Sequence, residues 1–350
     1  MAFFTPSLSP AVVTREIDLT GIVPNVGTTT GVFVGNYRWG PVDVPTRVDN
    51  EARLVSLFAT PDTNNAVDFH TAAQYTKYSN QLLNIRAVTS AAKNSFHTDA
   101  GFADGRTARL VKNTTDFNNQ LSAMDSDKHA FIGKYPGALG NSLQVQLCGF
   151  DVGDSAFTGW SLRTQFDAAP GTSSYLAGKN GANDEVHVAV IDQDGQFSGT
   201  KGEVLETFPF LSLARDAKNA DGSTNYIADV INNQSNYVWL VDAANIDSDY
   251  SVAGAGTDAA DSGDDYKLIA SAQGVKAISL ASGVSSGALG TSEYASAFDL
   301  VEDVDTYQVD FLIAPPVTAT TGANSTADTI ITDLSSIAGT TRKDCVVVAS

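Results

Sequence analysis

The chain has 350 residues, enough for about two or three domains of roughly 150 residues each and for a sizeable core. Its 21 basic and 40 acidic residues give a net charge of -19, which excludes recognition of phosphate backbones or anionic lipid through a basic surface. Hydrophobic residues make up 43%, an ordinary globular share. No apolar run approaches the ~20 residues of a membrane helix. The start, MAFFTPSLSP, lacks the charged and apolar regions of a signal peptide. The expectation is a soluble chain folded where it is made, with no membrane insertion and no direct nucleic-acid contact.

Residues 1–10, with Pro6 and Pro10, read as an extended arm, and residues 11–19 (AVVTREIDL) as a polar strand with no preceding partner. Pro24 and Gly27 separate it from a second strand, TGVFVGNY at 30–37, which ends in Trp39-Gly40-Pro41. Asp49 or Asn50 is placed to cap a helix with Leu54, Val55 and Phe58 on one face, stopped by Pro61. A second helix follows, with a stripe of Phe69, Ala72, Ala73 and Thr76, and then a buried strand at 82–88 (LLNIRAV). The pattern fades from Ala91 to Arg106.

TTDFNNQLSAM reads as a short helix, and HAFIGKYPGALGNSLQVQLCGF as strands with turns at Pro136-Gly137 and Gly140-Asn141. Residues 151–182 are irregular. EVHVAVIDQDGQFSG and EVLETFPFLSL read as successive strands joined at Asp194-Gly195, and NYIADVINNQSNYVWLV as helix then strand. The segment from Asp242 to Asp265 holds seven aspartates and no basic residue, and is expected to be a solvated loop. VKAISLASG, SEYASAFDLVEDV, YQVDFLIAPP, a helix over Thr329–Ala338 and CVVVAS then alternate β-α-β-α-β, which predicts a parallel or mixed sheet. A strand as apolar as CVVVAS is expected to be central, and the chain to be part of a longer polypeptide.

Catalytic and metal templates fit poorly. Gly283-Val284-Ser285-Ser286-Gly287 matches the G-x-S-x-G elbow, but all four histidines (His70, His97, His129, His187) precede Ser285, so a hydrolase using Ser285 is only a remote alternative. Asp192-Gln193-Asp194-Gly195 lacks the later ligands of a calcium loop and reads as a hairpin turn. Gly133-Lys134 lacks the preceding glycine of a phosphate loop, and Tyr135 stands where a Ser or Thr is needed. Cys148 and Cys345 lie in apolar strand-like runs without metal-ligand spacing and read as buried free thiols. The expectation is no enzyme, no cofactor and no metal.

Several stretches together resemble one family. Ser9-Pro10-Ala11-Val12 with Glu16, Val26-Gly27-Thr28, Gly31-Val32-Phe33-Val34-Gly35 and Arg38-Trp39-Gly40-Pro41 resemble the amino-terminal region of contractile tail sheath proteins from myovirus-type bacteriophages. The likeness continues through VDNEARLVSLFATP, through LLNIRAV with Ala92-Lys93-Asn94-Ser95, and through Tyr135-Pro136-Gly137-Ala138-Leu139-Gly140-Asn141. It ends with Ser282-Gly283-Val284-Ser285-Ser286 and Arg342-Lys343-Asp344-Cys345-Val346. Ala11 and Ala59 stand where relatives carry glycine. The stretch between Ser95 and Thr107 is short where larger relatives carry a protruding domain, and relatives continue past the D-C-[LV] strand.

The resemblance implies a structural subunit of stacked six-fold rings around a tail tube, contracting to drive the tube through the host envelope for genome ejection. Implied partners are other copies of itself, the tail tube protein, and baseplate and tail terminator proteins. The implied setting is the virion tail, after assembly in the host cytoplasm. A tailocin or other contractile injection system is the alternative sheath. The arm Val12, Val13, Thr14, Arg15, Glu16, Ile17, Asp18 would add as a strand to a neighbouring copy; the other reading is an edge strand within its own subunit. The motif residues Gly35, Arg38, Trp39, Gly40, Pro41, Tyr135, Pro136, Gly137 and Gly140 would mark the shared scaffold. The expected fold is mixed α/β (α+β) and multi-domain. It comprises an arm (1–20), a discontinuous inner α/β domain (21–90 plus 275–350) and an inserted, β-rich outer domain (91–274) carrying the acidic loop 242–265.

Overall fold

The computed structural model describes residues 29–97, 107–127, 129–151, 153–179, 181–242, 274–317 and 326–349. The arm Val12–Asp18 and nearly all of the acidic segment lie outside the described residues. The fold is mixed α/β, with helices and strands organised around two sheets. No described helix is long and apolar enough to cross a membrane.

The first sheet has strand order β12-β11-β1-β3-β2. It is built from β1 (Gly31–Gly35), β2 (Thr46–Val48), β3 (Leu82–Arg86), β11 (Phe311–Ile313) and β12 (Val346–Val348). All pairings are parallel except β2 with β3. Parallel strands need helical crossovers that cover both faces, and the period-2 alternation divides the side chains between those faces. Phe33 and Leu82 pack under α1 (Glu51–Phe58) and α2 (Ala66–Thr76). Val32, Val34, Ile85 and Leu312 pack under α7 (Thr291–Asp299) and α8 (Thr326–Ser336).

Helix α1 starts where the Asn50 side chain accepts a hydrogen bond from Arg53 N (2.8 Å) and stops at Ala59, held at φ 62°. Helix α2 buries the stripe Phe69, Ala72, Ala73 and Thr76, as its spacing predicts. Arg342, in a π-helical turn after α8, donates to Tyr307 O (2.6 Å) and Val301 O and grips Asp344 with two nitrogens, each at 3.0 Å. That clamp fixes the approach to β12.

The second sheet is antiparallel, ordered β8-β7-β6-β10-β4-β5-β9. Its strands are β4 (Phe96–His97), β5 (Phe131–Gly133), β6 (Leu143–Gly149), β7 (Glu185–Asp192), β8 (Glu203–Ser212), β9 (Val238–Leu240) and β10 (Val275–Ala281). One face forms a core with Ile227, Val230 and Ile231 of α6 (Ile227–Gln234). The other, at the β4-β5-β9 end, packs Phe117 and Met124 of α3 (Thr114–Ser126) against Trp239. Short α4 (Ser155–Gly159) and α5 (Ser174–Ala177) occupy the stretch read as irregular.

Two expectations are corrected. Strand β10 does not complete the first sheet; it pairs antiparallel with β6 and β4, so the sheet of the final alternation begins only at β11. Among the described strands β12 is not central but lies at the edge, with Val346 60% and Val348 46% exposed. Its neighbour β11 takes the inner place because it pairs with β1 on one side and β12 on the other. The loop from β7 to β8 is also longer than a two-residue hairpin. The Asp192 carboxylate organises it, accepting from Phe197 N (2.8 Å), Ser198 N (2.8 Å) and the Ser142 hydroxyl (2.6 Å).

Candidate functional site

A closely packed junction lies where the first sheet meets the second, at the carboxyl ends of β1 and β3. Chain geometry brings Arg38-Trp39-Gly40-Pro41 there directly after β1, and Tyr135-Pro136-Gly137 between β5 and the 3-10 turn Ala138–Ser142. Arg86, the last residue of β3, ties them together. Its Nε donates to Tyr37 O (2.9 Å), and its two terminal nitrogens donate to Gly40 O (2.8 Å) and Pro136 O (2.6 Å).

The guanidinium is 1% exposed and is solvated by backbone carbonyl dipoles. Desolvation pulls its pKa down to about 9, with partial compensation from Tyr135, so it stays cationic at neutral pH. A buried cation held by three carbonyls fixes three segments of chain at one point. It also leaves them no freedom to slide.

Glycines permit the close approach. Gly137 has φ +143°, and a Cβ there would sit 2.8 Å from Arg38 O. Gly40 has φ +99°, and a Cβ would meet Leu57 O at 2.7 Å. At Gly140 a Cβ would collide with the Ser95 hydroxyl and touch Trp39 at 3.3 Å. Asn94 next door accepts from Val111 N (2.7 Å) and donates to Gly133 O (2.9 Å). Gly283 closes against Gly137 O, bonded on both sides to the Asn141 amide at 2.7 and 3.0 Å.

Trp39, 4% exposed, meets the edges or faces of Tyr135 and Phe197 at centroid distances of 5.5 and 5.0 Å. Beside it opens a cleft of about 520 Å³, lined by Trp39, Pro41, Arg53, Ala59, Tyr135 and Tyr237. Arg38 leans outward to Asp62 at 3.7 Å. The structure thus brings together Arg38, Trp39, Gly40, Pro41, Tyr135, Pro136, Gly137 and Gly140. Gly35 stands apart at α2, where Asn36 N donates to the Asp68 carboxylate (2.7 Å).

Sequence reasoning missed the centre of this region. Arg86 was visible as a charged residue inside the apolar stretch LLNIRAV and as part of the resemblance, but with no role attached; the charge within an apolar strand was the available signal.

Ser285 is arranged as an acceptor, its hydroxyl receiving Ala138 N at 3.1 Å. The histidines lie elsewhere: His70 on α2, His97 on β4, His129 bonded to Thr107 O (3.1 Å) and His187 bonded to Ala168 O (2.8 Å). Among the described residues no group of three His, Cys, Asp or Glu side chains could hold a metal ion. Both cysteines are free, and burial pushes the Cys148 thiol up to about 11, far from a reactive thiolate.

No protein-family model matches the chain. The chain is 32% identical over 206 residues to the tail sheath protein of Salmonella phage ViI, a match covering 58% of this chain and 29% of that relative. It is 35% identical over 79 residues to the tail sheath protein of Vibrio phage KVP40, covering 23% of this chain and 12% of that one. It is 25% identical over 178 residues to that of Enterobacteria phage T4, covering 43% and 27%. Among solved structures, the sheath tail protein of Listeria innocua aligns with 90% of this chain and 45% of its own, at TM-score 0.44 and 10% identity. That of Desulfitobacterium hafniense aligns with 97% and 52%, at TM-score 0.43 and 11% identity. The chain spans less than a third of the length of the curated relatives it matches. The resemblance read from its motifs is borne out by those relatives: the chain is similar in sequence to proteins named tail sheath protein from three phages.

Proposed function

We propose that the chain is a structural, non-enzymatic subunit of a contractile phage tail sheath. It assembles with its own copies into stacked six-fold rings around a tail tube, between baseplate and terminator proteins. Contraction of those rings drives the tube through the host envelope. The unit on the mainly parallel sheet is the inner one; the antiparallel sheet, inserted between β3 and β11, is the outer one. The arm Val12–Asp18 adds as a strand to a neighbour, where backbone hydrogen bonds hold copies together while they move.

The similarity over 206 residues to a protein named for this role carries the reading. The junction at Arg86 supports it in physical terms. A subunit that transmits force by sliding over its neighbours must not yield internally, so the bistable elements are the contacts between copies. Negative-stain microscopy of the full chain tests the proposal. Rings or tubes are expected; a monodisperse monomer at every concentration would overturn it.

A further inference from the structure

The cleft beside the Arg86 junction opens between α1 and the β7–β8 loop, and four of its lining rings stand in a row: Tyr135, Trp39, Phe197 and Tyr237. Successive centroids lie 5.5, 5.0 and 5.3 Å apart, and successive planes are turned by 80°, 87° and 87°. Rings that meet edge to face make ridges with slots between them, where stacked rings would make a flat platform.

The polar atoms on this row can donate and have nothing to donate to. Trp160 gives its indole N–H to Gln146 (2.8 Å) and Trp239 gives its own to Lys134 O (3.0 Å). Among the described residues, Trp39 Nε1 and the Tyr135 and Tyr237 hydroxyls have no such partner, and none of the three is sealed in the core. Burial raises the pKa of both tyrosines, so the phenols keep their protons at neutral pH. Arg53 is the one charged residue lining the cleft. Its side chain is exposed and makes no ion pair or hydrogen bond among the described residues.

A ligand that suits this lining offers acceptors, flat apolar rings that fit slots, and a negative charge. Proline supplies the first two, since each residue has a carbonyl, a pyrrolidine ring and no N–H. A run of prolines is already extended before it binds, so little ordering entropy opposes docking in an aromatic groove. A saccharide fits less well. It stacks on an open ring face, and Trp39 is only 4% exposed.

We propose that the cleft binds a proline-rich segment of a partner protein, held in the polyproline II conformation and carrying an acidic residue. Pyrrolidine rings enter the slots between the four aromatics, segment carbonyls accept from Trp39 Nε1 and the two phenols, and the carboxylate meets Arg53. The cleft is complete within one subunit, so the proposal does not depend on the sheath reading.

The test is calorimetric titration of the full chain with a peptide of five prolines and one aspartate, capped at both ends. Saturable binding is expected with a Kd below about 1 mM, and the same peptide with serines for prolines should not bind. Tyr135→Phe/Tyr237→Phe keeps both rings and should weaken binding about tenfold, the loss of two hydrogen bonds. Arg53→Gln should weaken the acidic peptide several-fold and leave an all-proline, uncharged peptide unaffected, a split that a general disturbance of the fold would not give. No saturation at several millimolar, equal binding of the serine peptide, or unchanged affinity in the tyrosine variant would overturn the proposal. So would equal loss of both peptides in Arg53→Gln, or binding of a glucose hexasaccharide in place of the peptide.

Discussion

At the end of β3, Arg86 satisfies three carbonyls and three glycines let backbone touch backbone. Two and three strands away in the same sheet, Phe311 and Ile313 of β11 and Val348 of β12 line an open groove. The first region is closed by polar groups and small residues, so its specificity resides in main-chain geometry. The second is made of large apolar side chains with room beside them. Substitutions should therefore hurt the junction through backbone and charge.

The largest effect is expected at the junction. Arg86→Met would leave three buried carbonyls without donors and cost about 3–5 kcal/mol, measured by urea unfolding. A loss under about 1 kcal/mol would mean that the carbonyls find other partners. Next comes Gly137→Ala, strained in φ and blocked by Arg38 O, at about 2–4 kcal/mol. Gly199→Ala is its control: φ is +82° but nothing lies within 4 Å of the added carbon, so the cost should be only about 1 kcal/mol.

Asp192 and His187, both on the second sheet, make stability depend on pH. Burial alone would raise the pKa of Asp192, but hydrogen bonds from Ser142, Ser198 and Phe197 outweigh burial and hold it low. Its folded pKa is depressed, so its contribution is complete above the unfolded value of about 3.9 and drains as pH falls through the lower folded value. Asp192→Asn should lose about 2 kcal/mol at pH 7 and show a flatter stability profile below about pH 4. Desolvation also lowers the pKa of His187, stacked on Phe166, so stability should begin to fall below about pH 6.5. A melting temperature that is constant from pH 7 to 5 would contradict this. The smallest expected effect is at Ala59, where φ 62° with ψ 176° suits glycine: Ala59→Gly should gain up to about 1 kcal/mol.

Local signals were legible in the sequence where the chemistry is local. The Asn50 cap, the α2 stripe and the strand at Leu82–Arg86 follow from side-chain type and spacing. Pairing was not legible. VKAISLA alternates as well for one sheet as for another, and its place beside β6 is decided by contacts far away in sequence. VVV reads as central because composition cannot report which face lacks a cover. At the junction the glycine and proline motifs were visible, but the role of Arg86 was not. Its role appears only when the carbonyls of Tyr37, Gly40 and Pro136 converge on it.

Sedimentation of the full chain beside a variant lacking residues 1–20 tests most directly whether copies are linked by the arm. The account predicts that the full chain forms large ring-sized or tubular species and that the shortened chain, equally stable to urea, stays small. Identical assembly of both proteins would contradict it.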